Sequence, residues 1–228
     1  MPTWISFIIF SSYSITLILA LWRYPKYYDT ELKYYPALIA YTLFTEILGA
    51  FFMKYPDAFT LPISNFYNNY NIVIYNIYNI VFFLYFFNLY KKFTLNKTHK
   101  KLIKAGIVLF ISLSIINIFT QNILKEGQIL TYITGGIILV IIILNYLNQI
   151  DWHQNKKEPI KNFMFWLSWG LLIFYSGYMP IKLSYHFRII HNQESYLLIR
   201  TLHLSLAPIM YLCFIIGFLK MRRKLVKG

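Results

Sequence analysis

ILTYITGGIILVIIILNYL, residues 129–147, contains no charged side chain and shows no alternation of apolar and polar positions. Strands of a membrane β-barrel alternate over about ten positions, so this run reads as a helix. A bilayer core of about 30 Å takes roughly 20 apolar residues in a helix, which is the length of the run. Six more runs of the same kind lie at about 4–22, 35–53, 70–90, 102–120, 163–182 and 201–220. The expected fold is all-α: a polytopic, multi-pass seven-transmembrane-helix bundle, with residues 1–228 forming a single transmembrane domain. The connecting loops are short, so neighbouring helices should run antiparallel.

Composition agrees with that reading. The 228 residues are 58% hydrophobic and 20% aromatic, and only 13% are charged, against about 25% in a soluble domain. Soluble globular and disordered chains are thereby excluded, and the lone Cys213 excludes a disulfide scaffold. A net charge of +14 in a soluble chain would point to nucleic acid. Here the lysines sit in short loops between apolar runs, so no nucleic-acid partner is expected. Phe, Tyr, Ile, Asn and Lys are all encoded by A/T-rich codons, and the 21 tyrosines by themselves identify no stacking surface.

Orientation follows from the distribution of Lys and Arg. One side would hold Arg23, Lys26 and Lys33, then Lys91, Lys92, Lys97, Lys100, Lys101 and Lys104. It would also hold Lys156, Lys157 and Lys161, and the tail residues Lys220, Arg222, Arg223, Lys224 and Lys227. Seventeen of the 22 basic residues fall there; the other side keeps Lys54, Lys125, Lys182, Arg188 and Arg200. The basic side is expected to be cytoplasmic, with the N-terminus outside and the C-terminus inside. No basic residue precedes the first apolar run, so that run should stay as a span rather than be cleaved. Neither an extramembrane domain nor an internal repeat is evident.

Polar groups inside spans are costly and are functional hypotheses by default. Glu46, in AYTLFTEILGAFF (40–52), is the one acidic residue well inside a run. The third run carries Asn71, Tyr75, Asn76, Tyr78 and Asn79 in its first turns, and Asn71, Tyr75, Tyr78 and Asn79 share a face by helical spacing. The sixth run ends with Tyr175, Ser176, Tyr178 and Lys182, and the seventh begins with Arg200, Thr201, His203 and Ser205. All these groups fall in the outer half, whereas the cytoplasmic halves of the fourth and fifth runs are nearly all aliphatic. That asymmetry is what an outward-facing polar pocket would produce. The candidate ligand-binding residues are Glu46, Asn71, Tyr75, Asn76, Asn79, Tyr178, Lys182 and His203. A structural reading stands beside this one: Glu46 hydrogen-bonded across a helix interface, the Asn and Tyr residues as anchors, and Lys182 snorkelling to headgroups. Pro180 and Pro208, Gly135–Gly136, and Gly170 with Gly177 read as bending and packing devices.

Several chemistries lack their residues. No HExxH, CxxC, GxSxG or phosphate-cradling glycine loop occurs, and no pair of intramembrane aspartates. The expectation is no metal, no cofactor and no assigned catalytic residue. A retinal Schiff base would need a lysine in LAPIMYLCF (206–214), where none stands.

YNIYNIVFFLYFF (75–87), FWLSWGLLIFYSGYMPI (165–181) and RTLHLSLAPIMYLCFIIGFL (200–219), together with TEILG (45–49), resemble uncharacterised seven-span inner-membrane proteins of Bacteroidota. The resemblance covers most of the chain. It implies location in a Gram-negative cell inner membrane with a periplasmic outer face, and it implies no activity.

Three functional classes follow. The first is a non-enzymatic sensor or carrier whose pocket binds a small polar or amphipathic ligand, with Glu46 bearing the charge or coupled proton. The second is a structural or regulatory subunit of a larger membrane complex. The third is an intramembrane lipid-modifying enzyme using Glu46 with His203. Apart from the lipid bilayer itself, the basic loop KKFTLNKTHKK (91–101) and tail KMRRKLVKG (220–228) would meet anionic lipid or a protein partner.

Overall fold

The computed structural model describes residues 3–54, 64–123, 126–150, 159–187, 189 and 193–222. Among these residues there are seven α-helices and no strand. They are α1 (Thr3–Trp22), α2 (Tyr35–Lys54), α3 (Ser64–Phe93), α4 (Lys97–Thr120), α5 (Ile129–Asn148), α6 (Phe163–His186) and α7 (Gln193–Lys220). Each expected apolar run falls on one of them. Asn96 opens α4 by accepting a hydrogen bond from the Thr98 N–H at 2.8 Å, and Asn162 opens α6 by accepting from Met164 N–H at 3.0 Å. Both satisfy backbone donors that a helix start leaves unpaired.

Three helices begin well before their apolar runs, α3 at Ser64, α4 at Lys97 and α7 at Gln193, and α6 continues past its run to His186. At about 1.5 Å per residue, the 30 residues of α3 extend about 45 Å, well beyond the hydrocarbon thickness. Hydropathy delimits the apolar part of a helix; the polar first turns of α3 continue the backbone hydrogen bonding without adding to it.

Five helices, α1, α3, α4, α5 and α7, are long and apolar enough to cross a membrane. Their exposed surfaces fit that solvent: Phe7, Val108 and Phe119 are 73%, 65% and 85% exposed. In α6, two Trp, three Tyr, three Ser, two Gly and Pro180 dilute the apolar content, and α2 is diluted by Thr42, Thr45 and Glu46.

Contacts group the chain into two compact units, one of residues 1–39 and 140–228, the other of residues 40–139. In the first, α6 packs extensively on α7, and α1 packs on α7. Gly170 makes the α6–α7 approach possible: a Cβ there would stand 2.9 Å from the Met210 carbonyl oxygen and 2.9 Å from Phe214 Cε1. The core of this unit is aromatic. Tyr35, fully buried, meets Phe163 edge-on at 5.2 Å, and Phe163 lies 4.2 Å from Phe218. In the second unit, Phe83 and Phe87 on α3 meet Phe110 of α4 at 5.6 and 5.4 Å. Phe83 also packs on α5, where a Cβ at Gly135 would fall within 3 Å of its ring. The abundant aromatic residues thus build both cores, whatever their codon origin.

Candidate functional site

Buried hydroxyls in these helices usually bond within their own helix. Thr16 donates to the Ser12 carbonyl, Ser114 to Phe110 and Ser168 to Met164, each at 2.7 Å. Such groups spend their one donor on their own helix. The polar residues of α2 behave differently. Tyr75 O–H donates to Glu46 Oε2 at 3.0 Å, and the Thr42 hydroxyl and Tyr78 hydroxyl share a hydrogen bond of 3.0 Å. Moving four residues back along α2 moves three residues forward along α3, so the two helices run antiparallel here. Both links reach through the full length of a tyrosine side chain.

An ionised carboxylate offers about four lone-pair positions. Among the described residues, Tyr75 supplies the hydrogen bond that Glu46 accepts. The hydroxyl of Thr45, beside Glu46 in sequence and 2% exposed, has no hydrogen-bond partner among the described residues. The half-buried carboxylate therefore retains acceptor capacity, next to a phenol already oriented on it.

Asn76 has another fate. One residue further along α3 is a rotation of about 100°, which turns it from α2 towards the segment joining α4 and α5. Its Nδ2 donates to the Ile123 carbonyl at 2.9 Å and the Glu126 carbonyl at 3.0 Å, while its Oδ1 accepts from Gln128 N–H at 3.0 Å. At 3% exposure, this side chain is committed to holding that segment. Asn117, 1% exposed, continues the arrangement by donating to the Thr131 hydroxyl at 3.1 Å. Asn79 is half-buried, one turn beyond Tyr75 on the same face. Asn71 lies within α3, and its side chain falls outside the described residues.

Tyr178, Lys182 and His203 come together in the first unit. The His203 ring meets Tyr178 edge-on at 4.4 Å and lies 6.1 Å from Tyr185. Lys182 Nζ stands 5.8 Å from the Tyr178 ring centroid, and both Lys182 and Arg200 lie close enough to act electrostatically on His203. Tyr185 in turn meets Tyr196 at 5.9 Å. Spacing alone would have added Tyr185, seven residues after Tyr178, and Arg200, three before His203. Thr42, four residues before Glu46, was available from the same rule.

Glu46 belongs to the second unit and His203 to the first. Among the described residues, no three His, Cys, Asp or Glu side chains group as metal ligands would. Outside the apolar runs, burial first and Tyr24 second push the Tyr27 phenol upward, and its hydroxyl donates to the Ala20 carbonyl at 2.6 Å. That group stays protonated and closes the end of α1.

Comparison with protein-family models, curated proteins and solved structures finds no match to this chain.

Proposed function

We propose that this is a seven-span integral protein of a cell inner membrane that binds a small polar or amphipathic ligand at Glu46, as a sensor or carrier. The N-terminus would face the periplasm and the C-terminus the cytoplasm, with α2 and α6 crossing alongside the five more apolar helices. Their 20 and 24 residues reach about 30 and 36 Å, enough to span.

One observation carries the ligand reading: a carboxylate within an apolar helix that accepts a single hydrogen bond, from Tyr75, among the described residues. Such a group wants further donors. A ligand presenting an ammonium or hydroxyl group answers that need, with Tyr75 orienting the carboxylate and Tyr78 and Thr42 fixing the next turn. Asn76 supports this site indirectly by ordering the α4–α5 segment. Tyr178, Lys182 and His203 form a separate cationic and aromatic surface in the same reading, suited to an anionic group.

The test is native mass spectrometry of protein gently extracted from its own membrane. A discrete small mass should accompany the wild-type chain and be lost in Glu46→Gln. In Tyr75→Phe its affinity should fall about ten- to a hundredfold, the worth of one hydrogen bond to a charged group. A folded Glu46→Gln protein that keeps the mass would leave Glu46 as interhelical glue.

A further inference from the structure

The end of the first unit opposite His203 holds a cleft of about 490 Å³, lined by Lys26, Ile160, Lys161, Leu219, Lys220, Met221 and Arg222. Three separate chain segments bring four cations to it: the turn after α1, the turn before α6 and the end of α7. Among the described residues, no acidic side chain lines it. Its remaining walls are apolar, so cations and hydrocarbon-compatible surface alternate within one concavity.

Its depth follows from the helices that reach it. The apolar part of α1 runs Trp4–Trp22, and that of α7 runs Ser195–Lys220. The cleft begins where both stop. Trp22 is 64% exposed, with the Arg23 guanidinium 4.3 Å from its ring centroid. Trp166 donates its indole N–H to the Ile160 carbonyl at 2.8 Å, and Lys220 Nζ lies 4.9 Å from the Trp166 ring. Indoles at helix ends flanked by Lys and Arg mark the boundary between hydrocarbon and headgroups. The four cations therefore stand at the level of lipid phosphates.

The cleft is also built. Lys26 Nζ donates to the Met221 carbonyl at 3.3 Å, which ties the turn after α1 to the end of α7 and leaves two further ammonium protons. Met221 itself is 7% exposed. Side chains of Ile160 and Leu219, 37% and 53% exposed, offer an acyl chain a surface beside the charges.

We propose that this cleft is a binding site for the phosphate of an anionic phospholipid headgroup. Lys161 and Arg222 would contact the phosphate oxygens, Lys26 and Lys220 would complete the positive field, and Leu219 and Ile160 would meet the first acyl carbons. A free polyphosphate shares the phosphate chemistry but makes no use of the apolar wall.

The experiment uses the full chain in a neutral detergent, titrated with short-chain phosphatidylglycerol or phosphatidylcholine and read by native mass spectrometry. Phosphatidylglycerol should bind with defined stoichiometry and phosphatidylcholine should not. Lys161→Gln with Arg222→Gln should weaken the phosphatidylglycerol adduct about twenty-five-fold, at about fivefold per basic residue. Lys161→Arg with Arg222→Lys, which keeps both charges, should retain it. Removing two charges elsewhere, Lys33→Gln with Lys104→Gln, should leave it unchanged. Equal weakening by both Gln pairs would mean diffuse surface charge and overturn the site. Inorganic pyrophosphate binding to the wild type as tightly as the lipid, with the same dependence on Lys161 and Arg222, would assign the cleft to a free phosphate compound and overturn the lipid.

Discussion

Two neighbouring residues on α3 show how a single rotation sends side chains to different partners. Tyr75 points its hydroxyl at Glu46, while Asn76 spends both amide protons and its carbonyl oxygen on the α4–α5 segment. Replacing Asn76 by Ala would leave two carbonyls and one N–H without their partner in a buried setting. Each unsatisfied group costs about 1–3 kcal/mol, and part of that cost is relieved by water. Asn76→Ala should therefore lose about 3 kcal/mol in denaturant titration of the detergent-solubilised protein. Asn76→Asp should fare no better, because a carboxylate cannot donate to the Ile123 and Glu126 carbonyls. Tyr75→Phe should cost less, about 1–2 kcal/mol, since it takes from Glu46 one donor rather than unpairing three backbone groups. A ligand role for Asn76 itself would require a protein that tolerates its loss.

The helices themselves were readable because an apolar run of membrane length leaves few alternatives, and each of the seven runs coincides with a helix. Their ends were not. Residues 64–69 and 193–200 are helical turns in which polar residues mix with aromatic or aliphatic ones, and the apolar runs begin only after them. The site was readable to the same degree. The shared face of Tyr75 and Tyr78, which meet α2 at Glu46 and Thr42, follows from counting residues. The partner of Asn76 does not, because it depends on how the segment after α4 folds back. Close packing was legible where small residues recur: Gly170 and Gly177 both lie against α7, the latter with a Cβ position 3.0 Å from Leu206. Gly170→Val should destabilise the α6–α7 pair by about 2 kcal/mol, the usual cost of overpacking, because a backbone carbonyl cannot move aside as a side chain can. Gly127→Ala is the control, since nothing lies within 4 Å of a Cβ placed there. Equal losses in the two variants would mean that Gly170 does not set the approach of the helices.

At the scale of the whole molecule, the weight falls on whether α2 and α6 cross the membrane. They are the two helices whose polar residues keep them outside the apolar five, and α2 carries Glu46 while α6 carries Tyr178 and Lys182. A polar residue placed on a spanning helix is a functional feature; on a helix lying along the surface it is ordinary. Cys213 is the sole cysteine, so Cys213→Ser gives a background for reporting each loop with a membrane-impermeant maleimide. If α2 and α3 both cross, Asp29→Cys and Lys97→Cys stand on the same side, labelled only after spheroplasts are lysed. Gly127→Cys should label in intact spheroplasts, one span beyond Lys97. Ile160→Cys should be protected and Ser195→Cys labelled if α6 crosses. Opposite labelling at positions 29 and 97 would remove one of the two spans between them, and with it the apolar surroundings on which the proposed role of Glu46 depends. The complete pattern reversed would keep seven spans, turn the Glu46 side towards the cytoplasm and make the basic cleft external. The positive charges argue against that reversal, because seventeen of the 22 Lys and Arg residues would then lie outside.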